Sequence, residues 1–172
     1  MTAVPLTGPD LPVSQAVAQL AALLLDKGWK LASAESCTGG MISAACTDLA
    51  GSSNWFDRGF VSYSNEAKSE LLGVDPALIA AQGAVSEVVV RAMAFGAVRR
   101  SNAQVSVAVT GVAGPAGGSK AKPVGIVWFG FQVDGLLTSE TRLFTGDRAA
   151  VREATVRHAL NRLVQLLTAP AA

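Results

Sequence analysis

Strand-like and helix-like stretches alternate along this chain up to about residue 110, and the alternation then breaks into a β-hairpin followed by one last helix. Such alternation forces parallel strands, because each return to the same end of a sheet needs a crossover. The hairpin adds antiparallel strands afterwards. The pattern therefore predicts an α/β fold: a three-layer α/β/α sandwich with a mixed, mostly parallel sheet, a C-terminal β-hairpin and a closing helix. The length, 172 residues, fits one domain, predicted over 11–168 with residues 1–10 as a lead-in and 169–172 as a tail.

Local signals set the expected elements. Val13, Val17, Leu20 and Leu24 recur at helical spacing, which predicts a helix over 11–27 with Asp10 as its N-cap and Gly28 as its stop. A strand is expected over 30–35, a helix over 38–49 capped by Thr38, and a strand over 55–64. Ser64 or Asn65 caps a short helix to Leu72, Asp75-Pro76 opens another, and Ser86 caps a longer one to about Arg100. Strands follow over 105–110, 124–133 and 137–144, the last two joined by Asp134-Gly135, a strong hairpin signal. Asp147 caps the final helix, whose apolar face is Val156, Leu160, Leu163, Val164 and Leu167.

Two of the predicted strands end by running into hydroxyls and glycines, at Ser36–Gly40 and at Thr110–Gly118. In open α/β sheets ligands sit beyond the carboxyl ends of the strands. These two loops are therefore expected to face one crevice. Between them lies a polar stretch, Tyr63-Ser-Asn-Glu-Ala-Lys68.

Composition excludes several chemistries. A formal net charge of +1 without a Lys/Arg cluster argues against a nucleic-acid partner. The longest apolar stretch, near 16–25, is too short and too amphipathic to span a bilayer, and no basic residue precedes Lys27 as a signal peptide would require. A cytoplasmic protein is expected. Two cysteines and one histidine give neither a disulfide framework nor a zinc site, and leave a Ser-His-Asp triad dependent on His158 alone. His158 reads as structural or solvated.

The chemistry must then come from other groups. The Ser36 hydroxyl stands where a helix opens, so it could attack a carbonyl while the N–H groups around Thr38, Gly39 and Gly40 bind an anion or oxyanion. The alternative is a polar turn in which Thr38 is merely a cap. Lys68 could serve as base if burial lowers its pKa, with Tyr63 relaying a proton or orienting it. Otherwise Lys68 is an exposed helix lysine. Thr110 could bond a polar ligand group, and Gly111 and Gly114 could let it approach. Alternatively, they build a stiff surface loop. Arg148 could hold a phosphate or carboxylate by its planar fork, or simply pair with Asp147. Cys37, at a helix start that stabilises thiolates, is the rival nucleophile, unless it is a buried small residue.

Taken together, Glu35-Ser-Cys-Thr-Gly-Gly40, Tyr63-Ser-Asn-Glu-Ala-Lys68, Gly83-Ala-Val-Ser-Glu87, Thr110-Gly-Val-Ala-Gly-Pro115, Gly117-Gly-Ser119, Lys122-Pro-Val-Gly125 with Val127-Trp128, and Gly146-Asp-Arg148 resemble the CinA C-terminal domain family in order and spacing. The match runs from about Val13 to Leu167. The resemblance implies an α/β/α fold and an amidase that converts nicotinamide mononucleotide to nicotinic acid mononucleotide and ammonia in pyridine nucleotide salvage, without metal or organic cofactor. It implies Ser36 as nucleophile, Lys68 as base, and Tyr63, Thr110 and Arg148 in the site. A serine often stands where this chain has Thr110; the hydroxyl is kept. A non-catalytic nucleotide-phosphate-binding module and a thiol amidase using Cys37 are the alternatives. A homodimer is the expected assembly.

Overall fold

The computed structural model describes residues 10–169. The expected lead-in over residues 1–9 and the last three residues of the tail lie outside this range. The chain runs α1 (Val13–Lys27), β1 (Leu31–Glu35), α2 (Met41–Thr47), a 3-10 turn (Ser52–Asn54), β2 (Phe56–Val61), α3 (Asn65–Leu72), α4 (Pro76–Gln82), α5 (Glu87–Arg99), β3 (Val105–Gly111), β4 (Ile126–Val133), β5 (Leu136–Leu143) and α6 (Arg148–Thr168). The sheet order is β2-β1-β3-β4-β5. β1 pairs parallel with both β2 and β3, while β3–β4 and β4–β5 are antiparallel. Four strands thus run one way and β4 alone runs back, giving the expected mixed sheet.

The topology locates a crevice before any side chain is considered. From β1 the chain steps outward to β2, while from β3 it steps the opposite way to β4. The connections diverge between β1 and β3, and beyond the carboxyl ends of these strands lies the switch point where such sheets bind ligands.

Alternation along β3 divides the core. Val105, Val107 and Val109 face α1, α2 and α6 together with Leu20, Leu24, Ile42, Phe129, Leu160 and Leu163. Ala108 faces the other side with Ala32 and Ala34 of β1, against Val89, Val90, Met93 and Ala97 of α5. The small side chains on this second face let α5 approach closely. At Gly130 a Cβ would come within 2.6 Å of the Val90 carbonyl. The Ser106 hydroxyl, on the same face, donates to the Ala94 carbonyl at 2.7 Å.

Local chemistry accounts for most boundaries. The side chains of Ser64, Asp75 and Asp147 accept N–H bonds from Ala67, Ala77 and Ala150 as N-caps. Asp134 and Gly135 take φ of 47° and 82°, as a type I′ hairpin turn demands. Three expected caps are corrected. Asp10 does not cap α1: the buried Asn161 amide takes both the N–H and the carbonyl of Leu11, and Pro12 holds the cap position. The Ser86 hydroxyl precedes α5 but donates to the Gly83 carbonyl instead. Thr38 does not open α2, which starts at Met41, and the strand expected over 55–64 is shorter, at Phe56–Val61.

Candidate active site

Ser36 is the first residue past β1, on the α5 side of the sheet in step with Ala32 and Ala34. Its N–H donates to the Val109 carbonyl at 3.1 Å, which sets it beside Thr110 at the end of β3. Lys68 reaches the same point from α3. Ser64 as N-cap fixes the helix phase, and Lys68 then projects inward, 1% exposed. The exposed-lysine alternative is therefore excluded. Its Nζ lies 3.1 Å from Ser36 Oγ, 3.0 Å from the Ser62 carbonyl and 3.0 Å from the Tyr63 carbonyl.

These partners set the proton inventory. Burial pulls the Lys68 pKa below the usual lysine value, against the opposing pull of Cys37 and Glu66. A neutral amine has two N–H bonds and one lone pair. The carbonyls of Ser62 and Tyr63, and that of Ser64 at 3.5 Å, can only accept, so they compete for its N–H bonds. As an ammonium Nζ donates to Ser36 Oγ; only when it is neutral is its lone pair open to the one partner that can donate, the Ser36 hydroxyl.

The turn after Ser36 is governed by Glu35, which sequence reasoning left aside. Its fully buried carboxylate accepts from the N–H groups of Gly40, Ile42 and Ser43 at 3.0, 3.0 and 2.8 Å, and from the hydroxyls of Thr38 and Ser43 at 2.7 and 2.8 Å. It thereby occupies the positive start of α2 from within the fold. Gly39 and Gly40, at φ of 59° and 103°, let the chain fold tightly around it. The Gly39 N–H closes the turn on the Ser36 carbonyl at 3.1 Å. For Gly39 and Gly40 the reading as ligand-binding donors is thus corrected, since the fold itself uses their N–H groups, and the Thr38 hydroxyl is likewise spent on Glu35. In this turn the Thr38 N–H has no acceptor among the described residues.

Cys37 takes the other position the sequence allows, that of a buried small residue. Burial pushes its thiol up to about 11, which disfavours the thiolate a cysteine nucleophile needs.

The second loop supplies the opposite wall. Thr110 is buried and spends its proton on the Ala84 carbonyl at 3.0 Å, so it can only accept from a ligand. Gly111 pairs with Val127, where a Cβ would come within 2.6 Å of the Ile126 carbonyl; packing of β3 on β4 requires it, not a ligand. Gly114 offers its carbonyl to Arg148 Nη1 at 2.9 Å. Arg148 Nη2 donates to the Tyr63 hydroxyl at 3.3 Å. The Tyr63 phenol is therefore exposed and turned to Arg148, and only the backbone carbonyl of Tyr63 touches Lys68. Relay through the phenol is corrected accordingly. Arg148 forms no ion pair with Asp147, whose carboxylate caps Ala150. Arg148 and Arg152 line one side of an open cleft of about 640 Å³ with Ala113, Pro115, Val124 and Gly146.

Arg152 is the second residue that sequence reasoning missed. It follows Arg148 by four positions, so both share a face of α6, a spacing that could have revealed it. The spacing alone does not say what Arg152 touches. Glu35 had its own signal, a carboxylate closing an otherwise apolar and small-residue strand.

His158 lies buried against Glu140, Phe129 and Phe144, a structural position as expected. Among the described residues no group of three or more His, Cys, Asp or Glu is placed to hold a metal ion. No helix among them is long and apolar enough to cross a membrane.

The model of the CinA C-terminal domain matches residues 13–167. A nicotinamide-nucleotide amidohydrolase PncC from Enterobacter agglomerans is 56% identical over 135 residues, covering 78% of this chain and 82% of its own length. The Escherichia coli K12 protein of the same name is 46% identical over 159 residues, covering 91% and 95%. The crystal structure of the competence/damage inducible protein CihA from Agrobacterium tumefaciens superposes with a TM-score of 0.86 at 41% identity, covering 95% of this chain and 99% of that one.

Proposed function

The chain belongs to the CinA C-terminal domain family as an amide hydrolase, and we propose that it converts nicotinamide mononucleotide to nicotinic acid mononucleotide and ammonia, with Ser36 as nucleophile and Lys68 as base. The observation that carries this reading is the Lys68 Nζ–Ser36 Oγ contact of 3.1 Å, with the other Nζ partners all main-chain carbonyls.

The steps follow from that arrangement. Ser36 Oγ attacks the carboxamide carbon while its proton passes to the Lys68 lone pair. A tetrahedral intermediate forms, and its oxyanion needs donors from the turn or the second loop. The Lys68 ammonium then protonates the departing nitrogen, the C–N bond breaks, and ammonia leaves an acyl ester on Ser36. Water attacks this ester, giving its proton to Lys68. The C–Oγ bond breaks as the Lys68 ammonium returns its proton to Oγ, restoring the serine, and the acid released gives its own proton to solvent to leave as the carboxylate. Serine, amine and water balance every step, so the reading calls on no cofactor.

Arg148, in the first turn of α6 and on the cleft, is the group we assign to the substrate phosphate, which its planar fork suits. An anion there would compete with the Tyr63 hydroxyl for Nη2. Placement in the cytoplasm and pairing with a second copy belong to the same proposal. Exposed Leu71 and Phe95, on the packed pair α3 and α5, support the pairing, and sedimentation measures it.

Ammonia release from nicotinamide mononucleotide, without added metal, tests the function. Wild-type turnover with loss on the order of 10⁴-fold in Ser36→Ala is expected. Undiminished turnover in Ser36→Ala would remove the serine mechanism, and no turnover by folded wild type would remove the substrate.

A further inference from the structure

Among the described residues, Arg152 meets no carboxylate within ion-pair distance. Its guanidinium instead straddles two consecutive carbonyls of the nucleophile turn. Nε donates to Cys37 O at 3.1 Å, and Nη2 donates to Thr38 O at 3.1 Å. The grip reaches Ser36 through a single rigid plane. The Thr38 carbonyl belongs to the same planar peptide as the Gly39 N–H, which donates to the Ser36 carbonyl at 3.1 Å. Fixing the carbonyl end of that plane fixes the direction of its N–H end. Glu35 gathers the donors of the turn from inside the sheet, and Arg152 gathers its acceptors from α6. The turn is held from both sides by opposite charges that do not touch each other.

We propose that Arg152 is a positioning residue: it holds Ser36 Oγ in line with Lys68 Nζ by clamping the Cys37 and Thr38 carbonyls, and it is not a ligand of the substrate phosphate. This rests on Ser36 being the nucleophile. Arg152 spends Nε and Nη2 on two main-chain carbonyls of the turn, whereas Arg148 spends Nη1 on one carbonyl and Nη2 on the hydroxyl of the exposed Tyr63, a longer contact that an anion can replace.

The test compares Arg152→Ala, Arg152→Lys and Ser36→Ala with wild type for kcat, KM and inhibition by inorganic phosphate, with melting temperature as the check on folding. Arg152→Ala should lose on the order of 10²-fold in kcat, because small misplacements of reacting groups cost that much, with KM and phosphate inhibition unchanged. Added guanidinium ion should restore part of that loss. Arg152→Lys should recover little, since an ammonium cannot match a planar two-donor fork. If Arg152→Ala does not fold, Arg152→Lys carries the same comparison. Full kcat in a folded Arg152 variant, or a rise in KM and in the phosphate inhibition constant at unchanged kcat, would overturn the clamp and make Arg152 an anion ligand. Those results beside a dead Ser36→Ala sink this inference alone. An active Ser36→Ala sinks the nucleophile reading and the clamp together.

Discussion

Two of the places where the protein buries ionisable side chains use them in opposite ways. Beneath β5, Glu140 meets His158, lies 3.6 Å from Arg142, and lies 3.1 Å from Arg162 Nε, which is out of line for a hydrogen bond. At the switch point, Lys68 meets three carbonyls and a hydroxyl. Burial alone would raise the Glu140 pKa, but the hydrogen bond from His158 and the charges of His158, Arg162 and Arg142 outweigh it and hold the carboxyl low. Lys68 has no such counter-charge in contact, and burial wins. The same desolvation thus leaves a carboxyl held low where opposite charges surround it and a lysine with a lowered pKa where only dipoles do.

The sharpest way to break this contrast is Lys68→Met. Removing the base should cost about 10²–10⁴-fold in kcat. It should also raise the melting temperature near neutral pH. The sign follows from linkage: the unfolded lysine holds its proton up to about 10.5, while the folded one releases it sooner. Folding is therefore penalised at pH values below the folded pKa, and the penalty fades as pH rises toward 10.5. The thermal gain of Lys68→Met over wild type should shrink over the same span. A fall in melting temperature at neutral pH would show that Lys68 is a strut after all.

Glu140→Gln probes the other cluster. Breaking a buried pair by removing one partner leaves the remaining charges uncompensated and should cost about 3 kcal/mol of stability, with kcat unchanged at temperatures where the variant is folded. The depressed Glu140 pKa gives the wild type stability that is fully present above the ordinary carboxyl value of 4.5 and lost as pH falls through the lower folded value. Urea denaturation across acid pH should show that slope in wild type and lose it in the variant. The smallest effect is expected at Cys37→Ala. It removes a buried thiol with no role in proton transfer, so kcat should change by less than about tenfold, whereas a thiol mechanism would abolish turnover.

The fold was legible where the signal is local. The caps at Ser64, Asp75 and Asp147 and the turn at Asp134-Gly135 each act within four residues, and all form as read. The caps expected at Asp10 and Thr38 fail because distant or buried partners compete: Asn161 holds Leu11 from 150 positions away, and Glu35 takes the start of α2. The site divides in the same way. Ser36 and Thr110 follow from strands ending in hydroxyls, and pattern alone brings them near each other. That Lys68 turns inward depends on the phase of α3, and that Tyr63 contributes a carbonyl rather than a phenol depends on the path of the chain after β2. No side-chain rule predicts a carbonyl's direction, nor the reach of Arg152 across to Cys37 and Thr38.

The two closer acceptors that orient Lys68 are main-chain oxygens of Ser62 and Tyr63. Substitution of either side chain leaves both oxygens in place. Selection can act on the proton chemistry here through the course of the backbone, while the identities of the neighbouring residues are free to drift. A site oriented by peptide groups is accordingly insulated from point mutation in a way that one oriented by carboxylates or imidazoles is not.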